Sequence, residues 1–202
     1  QQSYTNLAKE YEVEVLLDIG SDTGDTLGLP TAQHTSNLDE VTLSSALLGE
    51  IGAHVRTYPV FSSKTVKGKP LFLYALEGTL GTIELPTHIE RIYRLQKMET
   101  RHIALHALEE RISSLLTLVP RTDEPSKELG ANFRIDAVQA GWKNVYQTTG
   151  SRDFTIITLR VTCASGTYMR SFATRLGAAL GTNALALSIK RTKIGRYARL
   201  PG

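Results

Sequence analysis

Phe154-Thr-Ile-Ile-Thr-Leu-Arg-Val-Thr-Cys163, running on into Ala164-Ser-Gly-Thr-Tyr-Met-Arg170-Ser171, decides what kind of fold this chain adopts. Thr155, Ile156, Ile157, Thr158, Val161 and Thr162 are β-branched, which suits the pleated, half-buried surface of a sheet and predicts a strand over 154–163. Past Thr167 the apolar period changes. Phe172, Leu176 and Leu180 recur every four residues, which predicts a helix over 167–180 ended by Gly181. The joint, Ser165-Gly166-Thr167, has the small hydroxyl residues that satisfy free N–H groups at a helix start. Those N–H groups and the helix dipole attract anions. Tyr168 and Arg170 project from the first turn, one a flat ring with a hydroxyl, the other a permanently charged fork of N–H donors. Such a pair suits a site that handles a base and a carboxylate or phosphate. Taken alone, the hexapeptide reads more readily as a surface arginine beside a tyrosine capping the core.

Outward from that joint the charge is uneven. Residues 151–202 carry nine Lys and Arg against the single acid Asp153, a local balance of +8. The whole chain is +3, which leaves −5 for residues 1–150. A basic final quarter points to a polyanion, nucleic acid foremost, against the alternative of a solvated basic face without a specific partner. At 202 residues the chain has room for one substantial domain, or a domain with an appendage. Its one cysteine, Cys163, rules out an internal disulfide and argues against a cysteine-rich zinc site; in an apolar strand it reads as a small core residue. No apolar run is long enough to span a membrane. The opening QQSYTNLAKEYEVEV lacks the basic start and apolar centre of a secretory signal, so the expected location is the cytoplasm.

Read from its beginning, the chain offers a helix end or tether over residues 1–9, then a strand from Tyr11 to Ile19 with Tyr11, Val13, Val15, Leu17 and Ile19 on one face. Ser21 to Gly28 is rich in turn formers. Asp22 and Asp25 there lack the spacing of a calcium loop and fit Asx-turn chemistry. Leu38 to Gly52 predicts a helix with an apolar stripe of Val41, Leu43, Leu47, Leu48 and Ile51. In Tyr58 to Pro70, Lys64, Lys67 and Lys69 alternate with apolar and aromatic residues around Gly68. This suits a loop that grips RNA, and equally an ordinary hairpin with exposed lysines. A short helix over 71–77, a strand within 83–95 (Ile92, Tyr93, Leu95) and a helix over 99–118 (Leu105, Leu108, Ile112, Leu115) follow. His102 and His106 fall four apart on that helix, but Ile103 stands where a zinc-protease glutamate belongs; both read as surface or boundary residues. Residues 121–130 read as a polar linker, 133–138 as a short strand and 140–150 as ambiguous, with Trp142 a packing anchor. Ala184 to Arg191 is the last strand.

Four of these pieces, in order, resemble the TruB-type tRNA pseudouridine synthases. Lys9-Glu-Tyr11 with Gly20-Ser-Asp-Thr-Gly-Asp25 is similar to that family's K-x-Y strand and T-D-T-x-D loop. Pro59-Val-Phe-Ser-Ser63, Lys67-Gly68-Lys69, Tyr74-Ala75 and Gly78 resemble its thumb segment. Cys163 to Ser171 resembles C-S-x-G-T-Y-I-R-S/T. Leu176-Gly177, Leu180-Gly181, Ile189-Lys-Arg191 and Gly195 resemble its tail. The resemblance covers residues 9–95 and 151–197. It implies conversion of a tRNA T-loop uridine (position 55 in tRNA numbering) to pseudouridine by base flipping, without cofactor or metal. An aspartate attacks the nucleotide, and the freed uracil turns and rejoins through carbon. By the same resemblance Tyr11 stacks on the base and takes part in the later proton removal. Arg170 pairs with the catalytic aspartate, Tyr168 lines the pocket and Ile189 stands at a pocket leucine position. Lys64, Lys67, Lys69, Lys190 and Arg191 grip the RNA. The implied partner is the T-arm of tRNA, met by a monomer.

The departures set further expectations. The family's G-T-L-D-P element, which carries its catalytic aspartate, does not occur in these 202 residues, nor does its K-P-x-G-x-T-S segment. Thr65 stands at a usual lysine and Leu76 at a usual arginine. The reading is therefore an α/β (α+β) pseudouridine synthase fold, a mixed and largely antiparallel sheet with packed helices, incomplete at its N-terminus. Residues 1–98 and 151–202 would form the partial catalytic domain and 99–150 a helical insertion. An incomplete sheet would leave Val13, Val15 and Leu17 in water and the protein marginally stable. The alternative function is a non-catalytic RNA-binding or tRNA-folding protein on the same scaffold.

Overall fold

The computed structural model describes residues 7–33, 38–119 and 134–195. Five strands form its main sheet: β1 (Ala8–Leu17), β4 (Gly52–Thr57), β7 (Thr87–Ala104), β8 (Asp153–Cys163) and β9 (Ala184–Gly195), in the order β4-β7-β8-β1-β9. Every neighbouring pair is antiparallel. Two short ribbons stand apart: β2 (Ile19–Ser21) with β3 (Pro30–Ala32), and β5 (Thr65–Val66) with β6 (Lys69–Pro70). The helices are α1 (Glu40–Glu50), α2 (Leu71–Leu76), α3 (Leu105–Thr117), α4 (Ile135–Thr149) and α5 (Met169–Ala179).

The alternation inside β8 shows how the sheet is covered. Ile157, Leu159, Val161 and Cys163 face one way and pack with Val13, Val15 and Leu17 of β1 under Phe172, Ala173 and Leu176 of α5 and Leu43 of α1. Phe154 and Ile156 face the other way and join Leu16, Leu185 and Leu187 under α3 and α4, which contribute Leu108, Ile112, Val138 and Trp142. The sheet is thus buried on both faces where β8 begins and on one face where it ends. Thr158, Arg160 and Thr162, half-buried, mark the change. Gly177 is required where α5 crosses β9, since a Cβ there would lie 2.5 Å from the Ala184 Cβ.

Several expectations are corrected. Val13, Val15 and Leu17 are 0, 0 and 5% exposed, not in water, because β8 and β9 pair on either side of β1 and α5 covers them. Residues 99–104 belong to β7 and not to a helix; they pair with Thr158 back to Asp153. His102 therefore lies on a strand and shares no helix with His106. Within the rest of that stretch α3 and α4 pack into the core, with Trp142 1% exposed. Residues 135–138 are helical rather than extended, while Phe133 and the 121–130 linker lie outside the described residues. Of the apolar stripe expected on α1, Leu43 is fully buried, but Val41 and Leu48 are exposed because the helix meets the core along a narrow edge. Ala8 and Lys9, expected in a tether, already belong to β1.

Candidate active site

Tyr168 and Arg170 sit where the sequence pattern puts them, at the start of α5, but the helix is held there by other means. Tyr168 is its N-cap and makes no side-chain capping bond. The Thr167 hydroxyl turns back to donate to the Ala164 carbonyl (3.0 Å). Glu90 of β7, 3% exposed, does the work expected of the hydroxyls: its Oε1 accepts the Tyr168 N–H at 3.2 Å, an anion at the positive end of a helix. Glu90 Oε2 meets Arg175 Nη2 at 3.1 Å, and Oε1 lies 3.3 Å from His88 Nε2. Arg175 also binds Glu50 (2.8 Å), and Glu50 binds Arg56 (3.1 Å). This half-buried chain of alternating charge ties β7, α1 and β4 to the first two turns of α5. Beside it the Tyr58 ring stacks on His88 at 4.0 Å and both meet Tyr168 edge-on. Burial, and the neighbouring Tyr58, push the Tyr168 hydroxyl above its ordinary pKa, while Arg170 pulls the other way.

Arg170 is clamped on three sides. Nη1 donates to the Thr23 carbonyl and Nη2 to the Phe61 carbonyl, each at 3.1 Å, and Nε lies 3.5 Å from Asp25 Oδ2. Asp25 is itself fixed. Its Oδ1 accepts from the Thr23 hydroxyl (2.7 Å) and the Leu27 N–H (3.0 Å), the Asx turn the loop composition predicts. Gly24, at φ +77°, lets this loop meet α5: a Cβ there would stand 2.8 Å from the Arg170 carbonyl oxygen. The Ala186 N–H donates to the Gly24 carbonyl (2.9 Å), which fastens the loop to β9. The guanidinium has five N–H groups, more than these partners take up, and Arg170 lines the neighbouring cleft, where a carboxylate or phosphate is the acceptor its charge favours.

The clamp opens on a cleft of about 460 Å³, a size suited to a nucleoside. Asp25, Ser62, Ser63, Tyr168 and Arg170 supply its polar wall; Leu27, Phe61, Phe72, Leu116 and Val138 supply its apolar one. Tyr11 does not line this cleft. It stands on β1 opposite Arg191, whose Nε is 3.3 Å from the Tyr11 hydroxyl. Ile189, 41% exposed, pairs with Val13, and exposed Lys190 pairs with Glu12. Tyr11, Ile189 and Arg191 thus form a second group on β1 and β9, a few residues along β9 from the point where Gly24 is fastened. Of the thumb lysines, Lys67 and Gly68 are the two-residue turn between β5 and β6, both at positive φ, as such a hairpin requires. Lys67 is exposed at that tip, Lys64 lies over the Tyr58 ring (4.9 Å), and Lys69 lies over Tyr74 and pairs with Glu77.

Sequence reasoning missed the part played by Glu90 and Arg175, and it saw Asp25 only as a turn former. Glu90 was findable: it stands two residues before Ile92 on a strand and so shares the inward face. Nothing local links Asp25 to Arg170, which lies far along the chain.

An antiparallel sheet thus presents a clamped arginine and a tyrosine at a helix start, over a nucleoside-sized cleft. A family description, "TruB family pseudouridylate synthase (N terminal domain)", matches residues 1–113, more than half of the chain. The chain belongs to that family. Among curated relatives it is 29% identical over 197 residues to tRNA pseudouridine synthase B of Deinococcus deserti, covering 94% of this chain and 55% of that protein. It is 28% identical over 189 residues to the synthase of the same name from Azoarcus sp., covering 94% and 45%. The chain therefore spans about half the length of the curated relatives it matches. Among solved structures, one crystal structure of a Cbf5-Nop10-Gar1 complex aligns with TM-score 0.47 and 15% identity, covering 96% of this chain and 32% of that one.

Proposed function

We propose that this chain is the base-handling core of a tRNA pseudouridine synthase acting on a T-loop uridine, with the T-arm of tRNA as its partner. The observation that carries the reading is the Arg170 clamp: a charged fork held by two carbonyls and Asp25 in the wall of an open cleft. In this reading a carboxylate bound by Arg170 stays ionised and attacks the flipped nucleotide. The bond from the sugar C1′ to uracil N1 breaks, the uracil turns, a bond from C1′ to C5 forms as the carboxylate is released, the C5 proton leaves and N1 takes one up; atoms and charge then balance without a cofactor. Tyr168 lines the pocket. Tyr11 stacks on the base and takes part in proton removal, with Ile189 beside it. Lys64, Lys67, Lys69, Lys190 and Arg191 hold phosphates, the last two within the basic stretch 151–202. The protein works as a monomer in the cytoplasm; among the described residues no helix is long and apolar enough to cross a membrane.

The test is tritium release from a T-arm stem-loop labelled at uracil C5, run beside a binding measurement with the same RNA. Release that disappears in Arg170→Ala supports the synthase reading and makes Asp25, the carboxylate facing Arg170, the first to substitute. Binding without release assigns the attacking carboxylate to residues other than these 202. Failure both to bind and to release overturns the reading.

A further inference from the structure

α4 reaches the Asp25 segment at three points. Trp142 Nε1, fully buried, donates to the Thr26 carbonyl at 3.0 Å. The Arg134 guanidinium takes both carboxylate oxygens of Asp22, Nη1 to Oδ2 at 2.6 Å and Nη2 to Oδ1 at 3.2 Å, and lies 4.6 Å from the centre of the Phe61 ring. Gly141 comes so close to Pro30 that a Cβ there would lie 2.8 Å from the proline Cδ. These contacts bracket Asp25 on both sides. They also touch both halves of the arginine clamp, because Asp22 precedes Thr23, whose carbonyl accepts from Arg170 Nη1, and Phe61 accepts from Nη2. Covering the sheet needs only the apolar body of Trp142. It does not need an indole N–H aimed at a loop carbonyl or a bidentate arginine on the same loop.

We propose that α4 is a positioning element, in which Arg134 and Trp142 fix the Asp22–Leu29 segment so that Asp25 and the Thr23 and Phe61 carbonyls hold Arg170 in one orientation. Its catalytic consequence rests on the synthase reading; the geometry does not. A carboxylate offered to a guanidinium free to change rotamer would lose the fixed near-attack arrangement on which in-line chemistry depends.

The experiment uses the full chain with ¹⁵N-arginine and uniform ¹⁵N labelling, in wild type, Trp142→Phe, Arg134→Gln and the control Lys143→Gln on the exposed face of α4. Solvent exchange is read at Arg170 Nε–H and at the Leu27 and Leu29 amides, which donate to Asp25 and Asp22. The expected result is exchange faster by about tenfold or more at those three groups in the first two variants, with the β1 and β8 amides and the control unchanged. Wild-type rates at all three groups in both folded variants would overturn the proposal. Arg134 is half-buried at the N-terminal end of α4, away from the core that Trp142 fills, so Arg134→Gln alone decides if Trp142→Phe does not fold. Where the wild type releases tritium, kcat should fall about tenfold with KM for the stem-loop unchanged; faster exchange with unaltered kcat would also overturn the positioning role. Where the wild type releases none, the exchange rates alone decide the inference.

Discussion

Replacing Glu90 with alanine is the most informative single change. Glu90 is 3% exposed and its carboxylate meets the Tyr168 N–H, Arg175 Nη2 and His88 Nε2 at 3.2, 3.1 and 3.3 Å. Breaking a buried ion pair by removing one partner costs roughly 3–5 kcal/mol, because the other charge stays behind. Arg175 keeps its contacts with Glu50, which places the cost at the lower end, about 3 kcal/mol. Losing the acceptor at the start of α5 adds about 1 kcal/mol, as for other lost helix caps. With a urea m-value of about 2 kcal/mol/M, the sum of about 4 kcal/mol lowers the unfolding midpoint by about 2 M. Urea titration followed by far-ultraviolet circular dichroism measures it. Glu90→Leu combined with Arg175→Leu should be less destabilised than the two single changes added together, by more than about 1 kcal/mol, since it removes both charges. A midpoint shift below about 0.5 M for Glu90→Ala, or strict additivity in the cycle, would refute the argument.

Four further outcomes are expected. Arg170→Ala should lower turnover on the T-arm stem-loop on the order of 100-fold while changing its Kd less than about threefold; equal losses in both would remove Arg170 from the chemistry. Gly24→Ala, at φ +77° and against the Arg170 carbonyl, should destabilise by about 2 kcal/mol and lower Tm by about 4–8 °C, read by calorimetry. Burial raises the Glu14 carboxyl, but its bonds to Arg111 and Arg101 outweigh this and hold it below its ordinary value of 4.5. Its contribution is therefore complete above that value and is lost as the pH falls through the lower, folded-state pKa, so the stability gap between wild type and Glu14→Gln should shrink on acidification. Cys163 is fully buried and its thiol is pushed up to about 11, chiefly by burial, so native protein should resist iodoacetamide at about pH 8 and react fully once unfolded.

What could be read from the sequence depended on how local each determinant is. β8 and α5 were legible because their apolar periods, two and then near four, change at a joint of small residues. Leu108 and Ile112 likewise gave α3 away. Its start was misplaced because Ile103 and Leu105 fit either period, and only the pairing of 99–104 with β8 resolves them as strand. Ile135, Val138, Trp142 and Val145 form a helical stripe, but Gly141 interrupts it, and that glycine is explained only by the approach of Pro30. The burial of β1 was not legible because both its partners lie in the last quarter of the chain. The arginine of the site was visible; its clamp was not, since Thr23, Asp25 and Phe61 converge on it from two distant loops.

The central place of β1 in the sheet governs how the protein forms as well as how it stands. Lys9 pairs with Cys163 on one side and Ile194 on the other, so β1 has neither of its sheet partners until β8 and β9 have been made. At ordinary translation rates of about 5–20 residues per second, β1 waits roughly seven to thirty seconds for β8. Through that interval Val13, Val15, Leu16 and Leu17 form an uncovered apolar run with two open hydrogen-bonding edges, a template for pairing with any other extended chain. Closure demands the longest loops the sequence allows, which makes the search slow. Shielding residues 8–17 during synthesis is therefore expected to raise the folded yield without altering the finished molecule.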